Sequence, residues 1–167
     1  MNATVLNNRP CTIAVSGLPG AGKTALINHI GKNNAGSAAA GCLIVENSVT
    51  DTASLPNAGN GGTRVAVIDC FNFIADYSDM ECPEGHHGQA HALTTATREL
   101  LQALMQAAHV IVLNKTDMVS AAQLTMIKFI SELINEQALI TTCAFGKIPE
   151  AGIIFSHVQN AQTTQGI

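Results

Sequence analysis

The eight residues GLPGAGKT, from 17 to 24, constrain this chain more than any other stretch. They follow the pattern G-x-x-x-x-G-K-[ST], with Gly17, Gly22, Lys23 and Thr24 in the fixed places and Gly20 as an extra glycine. Before them, CTIAVS is short, apolar and β-branched; after them, ALINHIGK has the spacing of a helix start. A strand, a glycine loop and a helix in that order form a cradle for an anion. The bare glycine backbone wraps closely, and successive N–H groups, Ala21 among them, point at a phosphate together with the positive end of the helix. Lys23 would bridge the β- and γ-phosphates, and the Thr24 hydroxyl would join the shell of Mg²⁺.

The rest of the chain reads as a frame for that loop. Apolar runs begin at Cys11, Gly41, Arg64 and His109, with LITTCAF from Leu139 as a fifth, and all five are expected to be strands. Between them, TRELLQALMQAA places Leu100, Leu101, Leu104, Met105 and Ala108 on one helical face. A further helix is expected from the capping box SAAQ at Ser120, with Leu124, Ile127, Ile130, Leu133 and Ile134 facing inward. Alternating strands and helices predict an α/β fold of the P-loop NTPase type, a three-layer αβα sandwich around a mostly parallel sheet. Charged residues are only 12% of the 167 and hydrophobic residues 47%, which suits a sheet buried on both faces. This length predicts one domain, over residues 1–158, followed by a polar tail at 159–167.

Composition also narrows the partners. A net charge of −4 and a pI near 5.8 argue against nucleic acid and anionic membrane surfaces. The opening MNATVLNNRP has neither a basic nor an apolar segment of a leader, and no apolar run approaches a membrane span, so a cytoplasmic protein is expected. Five scattered cysteines without a C-x-x-C pair fit reduced thiols.

A second motif addresses the base. VIVLNKTD ends an apolar strand with Asn114, Lys115, Thr116 and Asp117, the N-K-x-D arrangement of guanine-binding proteins. Asp117 would accept from N1–H and the exocyclic amine of guanine, Asn114 would hold the loop and meet the base, and Lys115 would lie along its face. Adenine presents the wrong edge to such a carboxylate, so GTP is expected over ATP.

With these motifs in place the chain resembles the CobW-type GTPases, metal-handling relatives of the nickel chaperones for hydrogenase and urease. The likeness is carried by SGLPGAGKTALINHI, VIDCFNFIADY, LLQALMQAAHVIVLNKTDMVS and TTCAFGKIPEAGI, in the family's order. It implies a domain that binds Mg-GTP and couples nucleotide state to delivery of zinc or cobalt to a metalloprotein client. Three family features are not intact: the Asn-Glu-x-Gly switch, of which IVENSVTD is a blurred remnant, the Gly-Cys-x-Cys-Cys metal motif, replaced by LPNAGNGG, and the strand that senses the γ-phosphate. The family's C-terminal domain is expected to be absent as well.

Asp69 consequently has two readings. As an acid ending the apolar strand RVAVID, it fits the carboxylate that holds Mg²⁺ through water beside Thr24. By resemblance it belongs to a later strand and has a different place. Residues 46–63 read as a long polar loop in which no apolar residue fixes Glu46 or Asp51, so hydrolysis is expected to be slow. A metal other than magnesium, namely zinc, nickel or cobalt, would find its donors in Cys82, Glu84, His86, His87 and His91, although a solvated polar loop reads equally from that spacing. The expected function is thus GTP binding, with weak or no hydrolysis, coupled to metal handling. The alternatives are a diverged fragment that acts by protein interaction, and an active GTPase in which Asp69 serves magnesium.

Overall fold

The five apolar runs become five strands of one sheet, the inner ones buried from both sides and the two edge ones only partly covered. The computed structural model describes residues 11–33, 42–55, 62–77, 89–149 and 152–155. The strands are β1 (Cys11–Gly17), β2 (Cys42–Ser48), β3 (Thr63–Asp69), β4 (Val110–Asn114) and β5 (Leu139–Thr142). The helices are α1 (Lys23–Asn33), α2 (Cys70–Tyr77), α3 (Gln89–Ala107) and α4 (Ala121–Ile134). The sheet runs β2-β1-β3-β4-β5, and each adjacent pair is parallel. The mostly parallel sheet expected from sequence is therefore wholly parallel among the described residues.

Alternation along each strand sorts the core into two layers. Ile13 and Val15 of β1, Val65 and Val67 of β3, and Val110 and Val112 of β4 pack with Leu26 and Ile30 of α1. The intervening residues Ala66, Ile68, Ile111 and Leu113 pack with Phe73 of α2, Leu101 and Met105 of α3, and Ile127 of α4. All five residues of β4 are buried, as a central strand covered on both faces requires. That is the three-layer αβα arrangement.

Local chemistry sets the helix ends. Ser120 Oγ accepts from the N–H of Gln123 while the Gln123 side chain accepts from the N–H of Ser120, so the capping box starts α4 where the sequence placed it. At the other end, the Asn135 amide donates to the carbonyls of Met105 and Ala108 at 2.8 and 2.9 Å and ties α4 to the end of α3. One expected core residue is not in the core. Leu133 is 71% exposed, because at 3.6 residues per turn it lies about 120° around the helix from buried Ile127.

The expected loop at 46–63 needs a larger correction. β2 continues through Ser48, and Asp51 caps a 3-10 turn over Thr52–Ser54. An apolar residue does hold this segment. Val49 is fully buried against Leu100 and Leu104 of α3, and its N–H donates to the carbonyl of Gly17 at 3.1 Å. A lone valine in a polar stretch has no period, so its anchoring role could not be read before α3 was placed. Residues 56–61 lie outside the described residues, as does the expected tail.

Candidate functional site

The order β2-β1-β3-β4-β5 makes β1 and β3 neighbours whose connections leave to opposite sides, and in such sheets the ligand crevice lies at their carboxyl ends. Both motifs and Asp69 arrive there. The phosphate loop follows β1, Asp69 ends β3, and Asn114, directly across from Asp69 in register, ends β4. A cavity of about 50 Å³ opens between the loop and α2, lined by Leu18, Pro19, Ala21, Asp69, Asn72 and Phe73 among others.

Within the phosphate loop, Gly20 and Gly22 adopt φ of +79° and +90°, the left-handed region that side chains avoid. Gly22 has a second constraint. A Cβ there would sit 2.2 Å from Nδ2 of Asn114, so the position is open only to glycine. Gly17 ends β1 and joins the loop to it. The Lys23 ammonium is folded back onto the carbonyls of Gly17 and Leu18 at 3.1 and 2.9 Å. Burial lowers its pKa from the ordinary value, and the nearby Glu46 carboxylate opposes that shift.

The residue next to Thr24 is one the sequence did not single out as a ligand. The Thr24 hydroxyl lies 2.8 and 3.0 Å from the two carboxylate oxygens of Glu46, on β2. Asp69 has other partners. Its Oδ1 accepts from the N–H groups of Phe71 and Asn72 at the start of α2, and its Oδ2 accepts from the Asn72 amide at 2.9 Å and from Lys115 Nζ at 2.6 Å. Thr24 and Asp69, which one of the two readings of Asp69 would set on one magnesium ion, are turned to different partners. Sequence reasoning named Glu46 as an acid of the expected loop but not as a partner of Thr24, because that approach depends on β2 pairing with β1, where Glu46 lies across from Val15. The signals were an acid near the end of an apolar run and the blurred switch remnant IVENSVTD.

The base motif is built as a tight loop over β4. Asn114 is buried, and its amide donates to the carbonyl of Ala21 at 2.9 Å. Its Oδ1 is buried without a partner. Lys115 takes a left-handed conformation, φ 59° and ψ 36°, and Asp117 follows in an exposed 3-10 turn over Thr116–Met118. Thr116 donates through both N–H and hydroxyl to the carbonyl of Cys143, which latches this loop to the end of β5. Beyond β5, Gly146 closes against α1, where a Cβ would come within 2.7 Å of Ala25.

The other expected metal donors lie elsewhere. Cys82, Glu84, His86 and His87 are outside the described residues, and residue 91 falls in the first turn of α3 rather than in the preceding segment. Among the described residues no group of three or more His, Cys, Asp or Glu side chains is placed to hold a metal ion. No described helix is long and apolar enough to cross a membrane.

A parallel sheet with a glycine phosphate loop after its first strand defines a P-loop nucleotide-binding domain. The family model for the CobW/HypB/UreG nucleotide-binding domain matches residues 44–142, more than half of the chain, and the chain belongs to that family. That range includes Asp69 and the N-K-x-D loop, while the phosphate loop lies before it. A solved structure of nucleolar GTP-binding protein 1 from Plasmodium falciparum is similar with a TM-score of 0.52 and 15% identity, over 96% of this chain and 92% of that one, and supports the fold. No curated protein matches the sequence.

Proposed function

We propose that this domain binds GTP and GDP with Mg²⁺, holding the phosphates on Gly17, Gly20, Ala21, Gly22, Lys23 and Thr24 and the base on Asn114, Lys115 and Asp117. The observation that carries this reading is the buried Asn114–Ala21 hydrogen bond, which makes the phosphate loop and the base loop one piece. A nucleotide that bridges two preassembled half-sites orders little on binding, and the partnerless Oδ1 of Asn114 is a polar atom of the kind a ligand satisfies. Asp117 supplies the carboxylate that separates guanine from adenine.

The donors at Thr24 and Glu46 fit magnesium. A hydroxyl and a carboxylate beside a phosphate loop are hard oxygen ligands of the type this ion takes. When bound, magnesium would neutralise charge on the β- and γ-phosphates. Turnover in this reading is slow, because β2 supplies Glu46 and the segment after it supplies no second well-placed acid: Asp51 commits Oδ1 to the N–H of Ser54. The coupling to zinc or cobalt that the resemblance implies is carried in this proposal by Cys82, His86, His87 and His91.

Calorimetry with GDP, GTP, ADP and ATP tests the reading. Binding of the guanine nucleotides alone supports it, and equal affinity for ATP refutes it. For the metal, the triple change of His86, His87 and His91 to Ala should remove zinc binding and spare GDP binding; unchanged zinc stoichiometry refutes the loop site.

A further inference from the structure

We infer that Asp69 is a positioning residue for guanine recognition, acting through Lys115, rather than a magnesium ligand; this rests on the guanine reading above. Three observations meet at this carboxylate. Asp69 and Asn114 are partners in the register of β3 and β4, so the acid stands beside the first residue of the base loop. Its Oδ2 accepts from Lys115 at 2.6 Å in a pair whose carboxylate side is only 12% exposed. Lys115 itself carries a left-handed backbone, φ 59°, which a residue with a side chain adopts only at a cost.

A strained residue keeps its conformation when its surroundings hold it there. For Lys115 the backbone neighbours are secured by Asn114 on Ala21 and by Thr116 on Cys143, and the side chain is secured by Asp69. The ammonium is thereby fixed at the β3 end, and the methylene stem between it and the loop is the part left to lie against a base. The same carboxylate starts α2, so the base loop, the third strand and the helix after it share one anchor. All the bonds drawn to Asp69 come from donors, and a cation in their place would need Lys115 to leave.

Asp69→Asn isolates this role. An amide oxygen still accepts at the start of α2, where Asn serves as well as Asp, while the charge facing Lys115 is lost. Fluorescent GDP is titrated into the wild type, Asp69→Asn, Lys115→Met and the double variant, each in Mg²⁺ and in EDTA, with thermal midpoints measured alongside. Asp69→Asn should weaken GDP binding about fivefold in both media, and the double variant should bind no worse than Lys115→Met. Asp69→Glu, which keeps the charge, should recover part of the loss. Unchanged affinity of Asp69→Asn, effects that add in the double variant, or a loss seen only with Mg²⁺ would each overturn the assignment while leaving guanine binding intact. Failure of the wild type to bind GDP overturns both together, and so separates failure of the functional reading from failure of this one.

Discussion

The side-chain amide of Asn114 donates to the backbone carbonyl of Ala21 at 2.9 Å, joining two loops that lie 93 residues apart in sequence. Gly22 is the reason it can. A side chain at 22 would overlap the Asn114 amide and would also have to adopt φ +90°. Gly22→Ala should therefore lower stability by about 1–3 kcal/mol and abolish detectable GDP binding. Denaturant unfolding and GDP titration of the same sample check both halves; a variant that binds like the wild type would show that the two loops are not coupled through this contact.

Asp117 is exposed and follows the strained Lys115, so its carboxylate is available to a base. Asp117→Asn reverses the acceptor pattern into a mixed donor and acceptor one. Preference should move from guanosine to xanthosine diphosphate, read as a crossing of the two affinities in competition titrations. Retained preference for GDP refutes the base assignment.

Much of this arrangement was legible before any coordinates. Runs such as VIVLN read as strands covered on both faces, and the phosphate loop has fixed residues at fixed spacing, so both motifs arrived at the carboxyl edge of the sheet as expected. The contacts that complete the site were not legible, because each joins elements whose juxtaposition is tertiary. Glu46 meets Thr24 only once β2 lies beside β1, and Lys115 reaches Asp69 only once β4 lies beside β3. Val49 shows the same limit for packing: one valine among polar residues carries no periodic signal, yet it seats the segment after β2 on α3. Leu133 failed in the opposite sense, since an apolar residue near the end of an apolar stripe had rotated past the buried face.

The buried thiols at the strand ends give a pH prediction. Burial, and then the charge of Asp69, pushes the Cys70 thiol from 9.0 up to about 12. Burial also raises Cys143 to about 11, with Asp117 adding to the rise and a hydrogen bond from the Gly146 backbone opposing it. The unfolded chain releases these protons near pH 9 and the folded chain retains them, so the folded state binds more protons above that point. Stability should hold below pH 9 and fall as pH climbs from about 9 toward 11 or 12. Urea unfolding between pH 7.5 and 10 measures the slope, and Cys70→Ala should flatten it. Both thiols should also resist alkylation at pH 8 until denaturant is added; labelling of either in the native protein refutes their protected state.

Turnover is the last consequence of the loop after β2. Phosphoryl transfer is catalysed by positioning and charge neutralisation, and Lys23, Thr24 and Glu46 supply a share of each. A water molecule in line with the γ-phosphate needs a further polar group, held as firmly. Val49 fixes the backbone of this segment, but the two acids beside it are already engaged: Glu46 of β2 with Thr24, and Asp51 with the N–H of Ser54. Each 1.36 kcal/mol of missing transition-state stabilisation lowers the rate about tenfold, so turnover should lie far below the ordinary range of about 1 to 1,000 per second. Release of labelled phosphate from GTP under single-turnover conditions measures it. Glu46→Gln should remove the strengthening of GTP binding by Mg²⁺ and lower any residual rate, since it removes the charge beside Thr24. Wild-type hydrolysis faster than about one per second without a partner would falsify the slow-turnover reading, and a Glu46→Gln variant that keeps its Mg²⁺ dependence would move the magnesium site away from Thr24 and Glu46.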